Sequence, residues 1–290
     1  MKNLEKEISE KCVFRYREMN KNTMKEVLNA KIWHSTREGL NDPFEFPISL
    51  DWQELEKKDV GILTKYALKL NIFNRDEILH LIENNLIELF YKTVKENLEK
   101  LKSSLPDYYN SLILCCFSKN YDSPLMWSHY SDGMRGVCIA YNKEKLEASE
   151  SFKLYPVMYN KVPIKFDYTH LRLVPVVDDF KFYDYQKNEN SIATGYLTRL
   201  NSYDYLYQKH ERWGYEKELR NIIDPDALKS KPMNGDLIEY PRGAIEAIII
   251  GSKMKAVHKR LVLKYCSKNK ITVLVATPNV EDYSVRVSAL

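Results

Sequence analysis

Three short apolar runs constrain the fold of this chain more than any other feature. SLILCCFS (Ser111–Ser118), GVCIAY (Gly136–Tyr141) and AIEAIIIG (Ala244–Gly251) each have the length and composition of a buried strand. The segments between them are unequal and share no internal repeat. A doubly wound sheet would need helices and strands alternating at regular spacing, and that pattern is absent. The sequence predicts one α+β domain over residues 1–290, a mixed and mostly antiparallel sheet with helices packed on it.

Shorter signals fill in the order. VFRYR (Val13–Arg17) alternates as a strand does, Thr23 and Glu26 are spaced as a capping box, and KIWHS (Lys31–Ser35) resumes strand character. GLNDPFEFP then reads as a turn. Residues 52–104 carry Leu79, Ile82, Leu86, Leu89, Phe90, Val94, Leu98 and Leu101 at helical spacing, a helical insertion ending before Pro106. Ser123 and Pro124 open a short helix that Gly133 closes. Tyrosines crowd the stretch 155–215, with a helix expected over about 189–210. YEKELRNII (Tyr215–Ile223) reads as a strand, and strands follow at ITVLVA and around Tyr283–Val287.

The bulk properties exclude several classes. No apolar run approaches the roughly 18–20 residues of a membrane span, and the charged start MKNLEKEISEKC is unlike a secretory leader. Five cysteines without paired spacing fit a reducing compartment, so a cytoplasmic location is expected. HExxH, CxxC, GxSxG and phosphate-loop motifs are all absent, and no metal is expected. Net charge is +4, yet SKMKAVHKRLVLKYCSKNK (Ser252–Lys270) alone holds seven cations and no acid, leaving −3 (four less seven) for the rest. Lys253, Lys255, Lys259, Arg260 and Lys264 read either as a nucleic-acid contact or as a solvated face, with Val257, Leu261 and Tyr265 packed inward.

Three constellations carry chemistry. On an extended FRYR, Arg15 and Arg17 share a face, suited to a phosphate or carboxylate or to an ion pair with Asp42 or Glu45 of the NDPFE turn. In YEKELR, Glu216, Glu218 and Arg220 point one way if the segment is extended, a carboxylate pair able to stabilise developing positive charge or simply an edge of alternating charges. In MWSHYSD, Trp127, His129 and Tyr130 offer stacking faces and donors for a heteroaromatic ring, or else a core plug, a satisfied histidine and an Asp132–Arg135 surface pair. Cys115 and Cys116 beside His129 suggest a nucleophile and base, although an apolar strand favours inert thiols.

FRYR, LNDPFE, CFS, PLMWSHYSDGMRGVCIAY and YEKELR together resemble the bacterial family called domain of unknown function 2971, over about residues 12–288. The order of elements is also similar to that of mono-ADP-ribosyltransferases, especially the DarT-type and abortive-infection relatives. That likeness implies a transferase-like core with NAD as co-substrate. Arg15 would hold the first-strand position, Ser35 the second-strand position, and Glu216 or Glu218 the glutamate. Arg17, Asn41, Asp42, Trp127, His129, Tyr130 and Arg220 would complete the binding site. The implied activity is ADP-ribosyl transfer to a protein or nucleic acid, or NAD hydrolysis, in phage defence or as a toxin. The long helical insertion and the distance from Ser35 to Glu216 depart from that pattern. The rival expectation is a non-catalytic nucleic-acid sensor using the basic segment.

Overall fold

The computed structural model describes residues 8–47, 49–50, 52–166, 171–175, 182–184, 189–191, 196–200, 206–223 and 234–290. The chain divides into two compact units, one of residues 1–45, 109–161 and 207–290, the other of residues 46–108 and 162–206. The first holds a mixed ten-stranded sheet. Its path runs through the strands Gly235–Glu239, Lys31–Thr36, Ile113–Ser118, Cys12–Arg17, Val137–Asn142, Ile245–Gly251, Thr272–Asn279 and Ser284–Ala289. The Glu218–Ile223 strand lies against Ile113–Ser118 and takes Tyr155–Pro156 on its own far side. Every pairing in this sheet is antiparallel except that of Ile245–Gly251 with Thr272–Asn279, which the helix Ala256–Asn269 connects. The α+β class and the mostly antiparallel sheet match the sequence pattern.

One departure from regular pairing positions the site. The cysteine strand Ile113–Ser118 meets the Arg15 strand Cys12–Arg17 at Phe14 opposite Ser118. It meets the Ser35 strand Lys31–Thr36 at Leu114 and Ile113, the opposite end. Between these contacts the described residues show no ladder on that side, so the sheet parts there. Alternation along the Arg15 strand sends Val13 into one core layer with Ile139 and Ile248, and Phe14 and Tyr16 into the other with Trp127 and Ile249.

The second unit carries the helices Trp52–Glu56, Val60–Lys69, Arg75–Glu83 and Ile87–Ser111, packed through Leu63, Ile78, Phe90, Val94 and Leu98. The last helix continues past Pro106, and Leu79, Leu86 and Leu89 remain exposed despite their helical spacing. Their stripe is wider than the buried face.

Other expectations are corrected locally. Asn20, not Thr23, caps the helix Lys21–Asn29, accepting the amides of Asn22 and Thr23, so Glu26 is free to turn inward. The elements described within 189–210 are strands, Glu189–Ser191, Tyr196–Leu200 and Gln208–His210, each held in a short two-stranded ladder, in place of the expected helix. Tyr185, Tyr203 and Tyr205 lie outside the described residues. The strand expected from Tyr215 begins only at Glu218, after a 3₁₀ turn over Glu211–Glu216. On the basic helix, Val262 and Cys266 face the sheet, whereas Val257 and Leu261 are 55% and 48% exposed.

Gly136 allows the Val137–Asn142 strand to enter beside the Arg15 strand. A Cβ there would meet the Arg17 carbonyl oxygen at 2.2 Å. Backbone atoms cannot step aside as a side chain can, so Gly136→Ala is expected to cost about 1–3 kcal/mol. A lower urea midpoint with an unchanged m-value is the expected result.

Candidate functional site

A cavity of about 300 Å³ lies where the sheet parts. Its walls are Phe14–Arg17, Leu114–Ser118, Trp33, Ser35, Gly39, Leu40, Asn41, Glu45, Met126, Tyr130, Lys209, Glu216 and Glu218. Residues from six separate stretches of chain thus converge on one space.

One end is cationic. Arg15 donates from Nη1 to Glu26 Oε2 at 2.8 Å and from Nη2 to the Trp33 carbonyl at 2.8 Å. Arg17 reaches Glu26 Oε1 through Nη2. The ion pair thus joins the arginines to Glu26, on a helix packed over the sheet, and neither Asp42 nor Glu45 takes part. Two guanidiniums face one carboxylate, an excess of one positive charge. Among the described residues the buried Nε of Arg17 has no hydrogen-bond partner.

The other end is acidic. Lys209 Nζ lies 2.8 Å from Glu216 Oε2, 2.8 Å from Glu218 Oε2 and 3.5 Å from Glu45 Oε1. Arg220 is fully buried, with Nε 2.7 Å from Glu218 Oε1 and Nη2 2.9 Å from Glu45 Oε1. Three carboxyls meet two cations. Burial alone would raise the Glu218 carboxyl, but Arg220 and Lys209 outweigh it and hold Glu218 below the usual range. Burial raises Glu216, with Glu218 adding to the rise against the pull of Lys209. Burial likewise raises Glu45 against Arg220 and Lys209. The cluster therefore holds one firmly ionised carboxylate beside one that keeps a proton more readily. Tyr130 Oη donates to Glu216 Oε1, and the Tyr130 hydroxyl is held protonated by burial and by that carboxylate.

Local backbone explains the pairing of acids. Lys217 adopts a left-handed conformation, φ 46°. Ser118 Oγ donates to the Glu216 carbonyl at 2.6 Å and the Lys119 amide to the Lys217 carbonyl at 3.0 Å, fixing that kink. Glu216 and Glu218 therefore do share a side, as expected, but across a kink and not along a continuous strand. The Glu218 amide donates to Tyr159 Oη at 2.8 Å.

Of the residues singled out from sequence, Arg15, Arg17, Ser35, Asn41, Tyr130, Glu216 and Glu218 line the cavity. Arg220 lies behind the lining as the counter-ion of two carboxylates. Trp127 is a core plug: it is 0% exposed, donates Nε1 to the Tyr121 carbonyl at 2.9 Å and packs edge-on to Tyr16. Its seven-residue helix turns it inward. His129 points out, with Nδ1 3.1 Å from Tyr215 Oη, and is no partner for either cysteine. Asp42 is spent locally, accepting the Phe44 amide at 2.9 Å. The surface pairing of Asp132 with Arg135 is present at 3.8 Å. Cys116 lines the cavity, but burial pushes its thiol up, as it pushes Cys115 to about 11. Lys253, Lys255, Arg260 and Lys264 are exposed and Lys259 half-buried, all on the basic segment outside the cavity lining.

Glu26, Glu45 and Lys209 are the site residues that sequence reasoning misplaced or missed. In sequence Glu26 reads as part of a cap and Glu45 as part of a turn, and Lys209 falls in the tyrosine-rich stretch expected to be helical. Among the described residues no group of His, Cys, Asp and Glu is arranged to hold a metal, and no helix is long and apolar enough to cross a membrane.

The site is a charged cleft in a parted α+β sheet, lined by two arginines and a pair of glutamates. Residues 126–221 match the model of the family described as protein of unknown function (DUF2971), the family that the motifs resemble. The match is narrower than the resemblance drawn from sequence, yet it includes Tyr130, Lys209, Glu216 and Glu218. No curated protein and no solved structure matches the chain.

A buried histidine behind Ser35 gives the fold an acid-sensitive element. His34 Nδ1 lies 3.1 Å from the Ile32 carbonyl, which only accepts, so Nδ1 carries the proton and Nε2 accepts from Asn221 Nδ2 at 2.9 Å. Burial, with Arg15 adding to it, lowers the histidine from 6.5 to about 3. The unfolded chain binds the extra proton first, so stability falls as pH drops through this window. Glu45 and Glu216, whose folded forms hold protons more tightly, act in the opposite sense. Subtracting the pH profile of His34→Gln from that of the wild type isolates the histidine. The difference should shrink by about 2–3 kcal/mol between pH 6.5 and 4.5 in urea unfolding.

Proposed function

We propose that this protein cleaves the N-glycosidic bond of NAD, passing the ADP-ribosyl group to an acceptor or to water. The observation that carries the reading is the bipolar cavity. Arg15, Ser35 and the Glu216/Glu218 pair, far apart in sequence, line one space whose ends carry opposite excess charge. A ligand with a cationic ring at one end and phosphates at the other is complementary to it. NAD has that form, with a pyridinium joined through ribose to a pyrophosphate. A volume of about 300 Å³ is at the small end for ligand sites and suits the nicotinamide–ribose half.

The chemistry follows from the roles of the acids. As the bond from ribose C1′ to the nicotinamide nitrogen breaks, its electron pair leaves with the ring and positive charge develops on the ribose. Glu218, ionised and fixed by Arg220, sits in the charge state that stabilises it. Glu216 is the group suited to take the proton from the incoming hydroxyl, with Tyr130 and Lys209 orienting it. Arg17, with Nε unpaired, is better equipped than Arg15 to hold the phosphates, since two of the Arg15 nitrogens are already committed.

The test is nicotinamide release from NAD, separated by chromatography. Glu218→Gln should lower kcat by at least about 10²-fold while leaving bound NAD detectable by calorimetry. Arg17→Ala should raise KM about tenfold with little change in kcat. Absence of both NAD binding and nicotinamide release from folded wild-type protein, with protein and nucleic-acid acceptors supplied, would overturn the reading.

A further inference from the structure

Outside the cavity, the strongest feature is the helix Ala256–Asn269 and the turn leading into it. We propose that its outward face docks the phosphate backbone of double-stranded nucleic acid, without reading sequence. Three observations converge. Arg260, Lys264 and Lys268 recur at every fourth position and are exposed, forming a row of cations about 6 Å apart along the helix. Lys253 and Lys255 extend the charge ahead of the first turn. Among the described residues, none of the seven cations from Lys253 to Lys270 forms an ion pair, whereas Lys31, Lys58 and Lys145 elsewhere are matched with glutamates. A row of unneutralised charge on a chain otherwise at −3 is complementary to a regular polyanion.

The same geometry decides which polyanion. A helix that lies on a lipid surface needs a broad free apolar face. Here Val262 and Cys266 are already packed on the sheet, leaving only Val257 and Leu261 outward. Single strands are gripped by stacking on aromatic rings, and this face presents none, since Tyr265 is half-buried with its hydroxyl on the Val27 carbonyl. Of the side chains that read base edges, Asn269 spends its amide on the Tyr265 carbonyl, and Arg260, the guanine-reading type, stands in the row of cations spaced along the helix. What remains is contact with phosphates.

The experiment is fluorescence anisotropy of the full chain with a labelled, mixed-sequence 20-base-pair DNA duplex. Three phosphate contacts predict a slope of log K against log salt near −2.7, a loss of about forty-fold between 50 and 200 mM salt. The triple variant Arg260→Glu, Lys264→Glu, Lys268→Glu should lose at least about tenfold in affinity and most of that slope, with an unchanged melting temperature. A control pair on the long helix, Lys92→Glu with Lys100→Glu, should bind as the wild type does. No binding at 50 mM salt, equal binding by the triple variant, an equal loss in the control, or a tighter hold on phosphatidylserine vesicles than on duplex would each overturn the proposal. NAD turnover is not an element of this test, so the two readings fail separately.

Discussion

The ammonium of Lys209 is the interaction on which the site depends. Taking that charge out of water costs several kcal/mol, and three carboxylates offset the cost. They come from the NDPFE turn, from the 3₁₀ turn before the Glu218 strand and from that strand itself. Arg220 ties two of them together from behind, so Lys209 and Arg220 between them bind segments that no ladder joins directly. Removing either cation would strand buried carboxylates. Stability alone does not account for the cluster, because apolar groups of the same volume usually stabilise as well or better. A buried network of this kind, beside an open cavity, is what a site requires and a core does not.

The parted sheet explains why the network can sit beside a cavity at all. A continuous ladder would fill the space between the Arg15 and cysteine strands with paired backbone. Instead the strands touch at Phe14 and Ser118 and separate. The Arg15 strand is held from both sides: Tyr16 and Trp127 pack on one layer, while Glu26 clamps the two arginines on the other. Trp127 thus serves the site without lining it. By fixing Tyr16, it fixes the strand from which Arg15 and Arg17 project.

What was legible in sequence was what short-range pattern encodes. The apolar runs at 113–118, 137–142 and 245–251 are strands because their side chains are buried on both faces, and continuous apolar composition records that directly. Period-two alternation predicts the pairing of Glu216 with Glu218, whereas a left-handed Lys217 produces it. Lys209 carried no signal, since a lone lysine among tyrosines is ordinarily solvated and only the tertiary fold brings it to three acids. Glu26 was hidden by its own spacing from Thr23, which imitates a cap that Asn20 supplies. Val257 and Leu261 marked the wrong face of the basic helix because Val262 and Cys266, equally apolar, lie on the side the sheet covers. Each miss concerns where a side chain points once distant segments meet.

The two ends of the cavity also constrain one another. With the carboxylates and guanidiniums ionised, the Arg15–Arg17–Glu26 group carries one positive charge and the Glu45–Glu216–Glu218–Lys209–Arg220 group one negative. Two acids sharing one lysine would ordinarily titrate alike. Arg220 breaks that symmetry, because its guanidinium touches Glu218 and leaves Glu216 to Lys209 and Tyr130. A proton taken up by the acidic end as pH falls therefore goes to Glu216 or Glu45 before Glu218. A cationic ligand group entering beside Glu218 would meet a charge already in place, with no proton to displace first, while its anionic group met Arg17. Division of labour between neighbouring glutamates thus follows from the position of one buried arginine behind them.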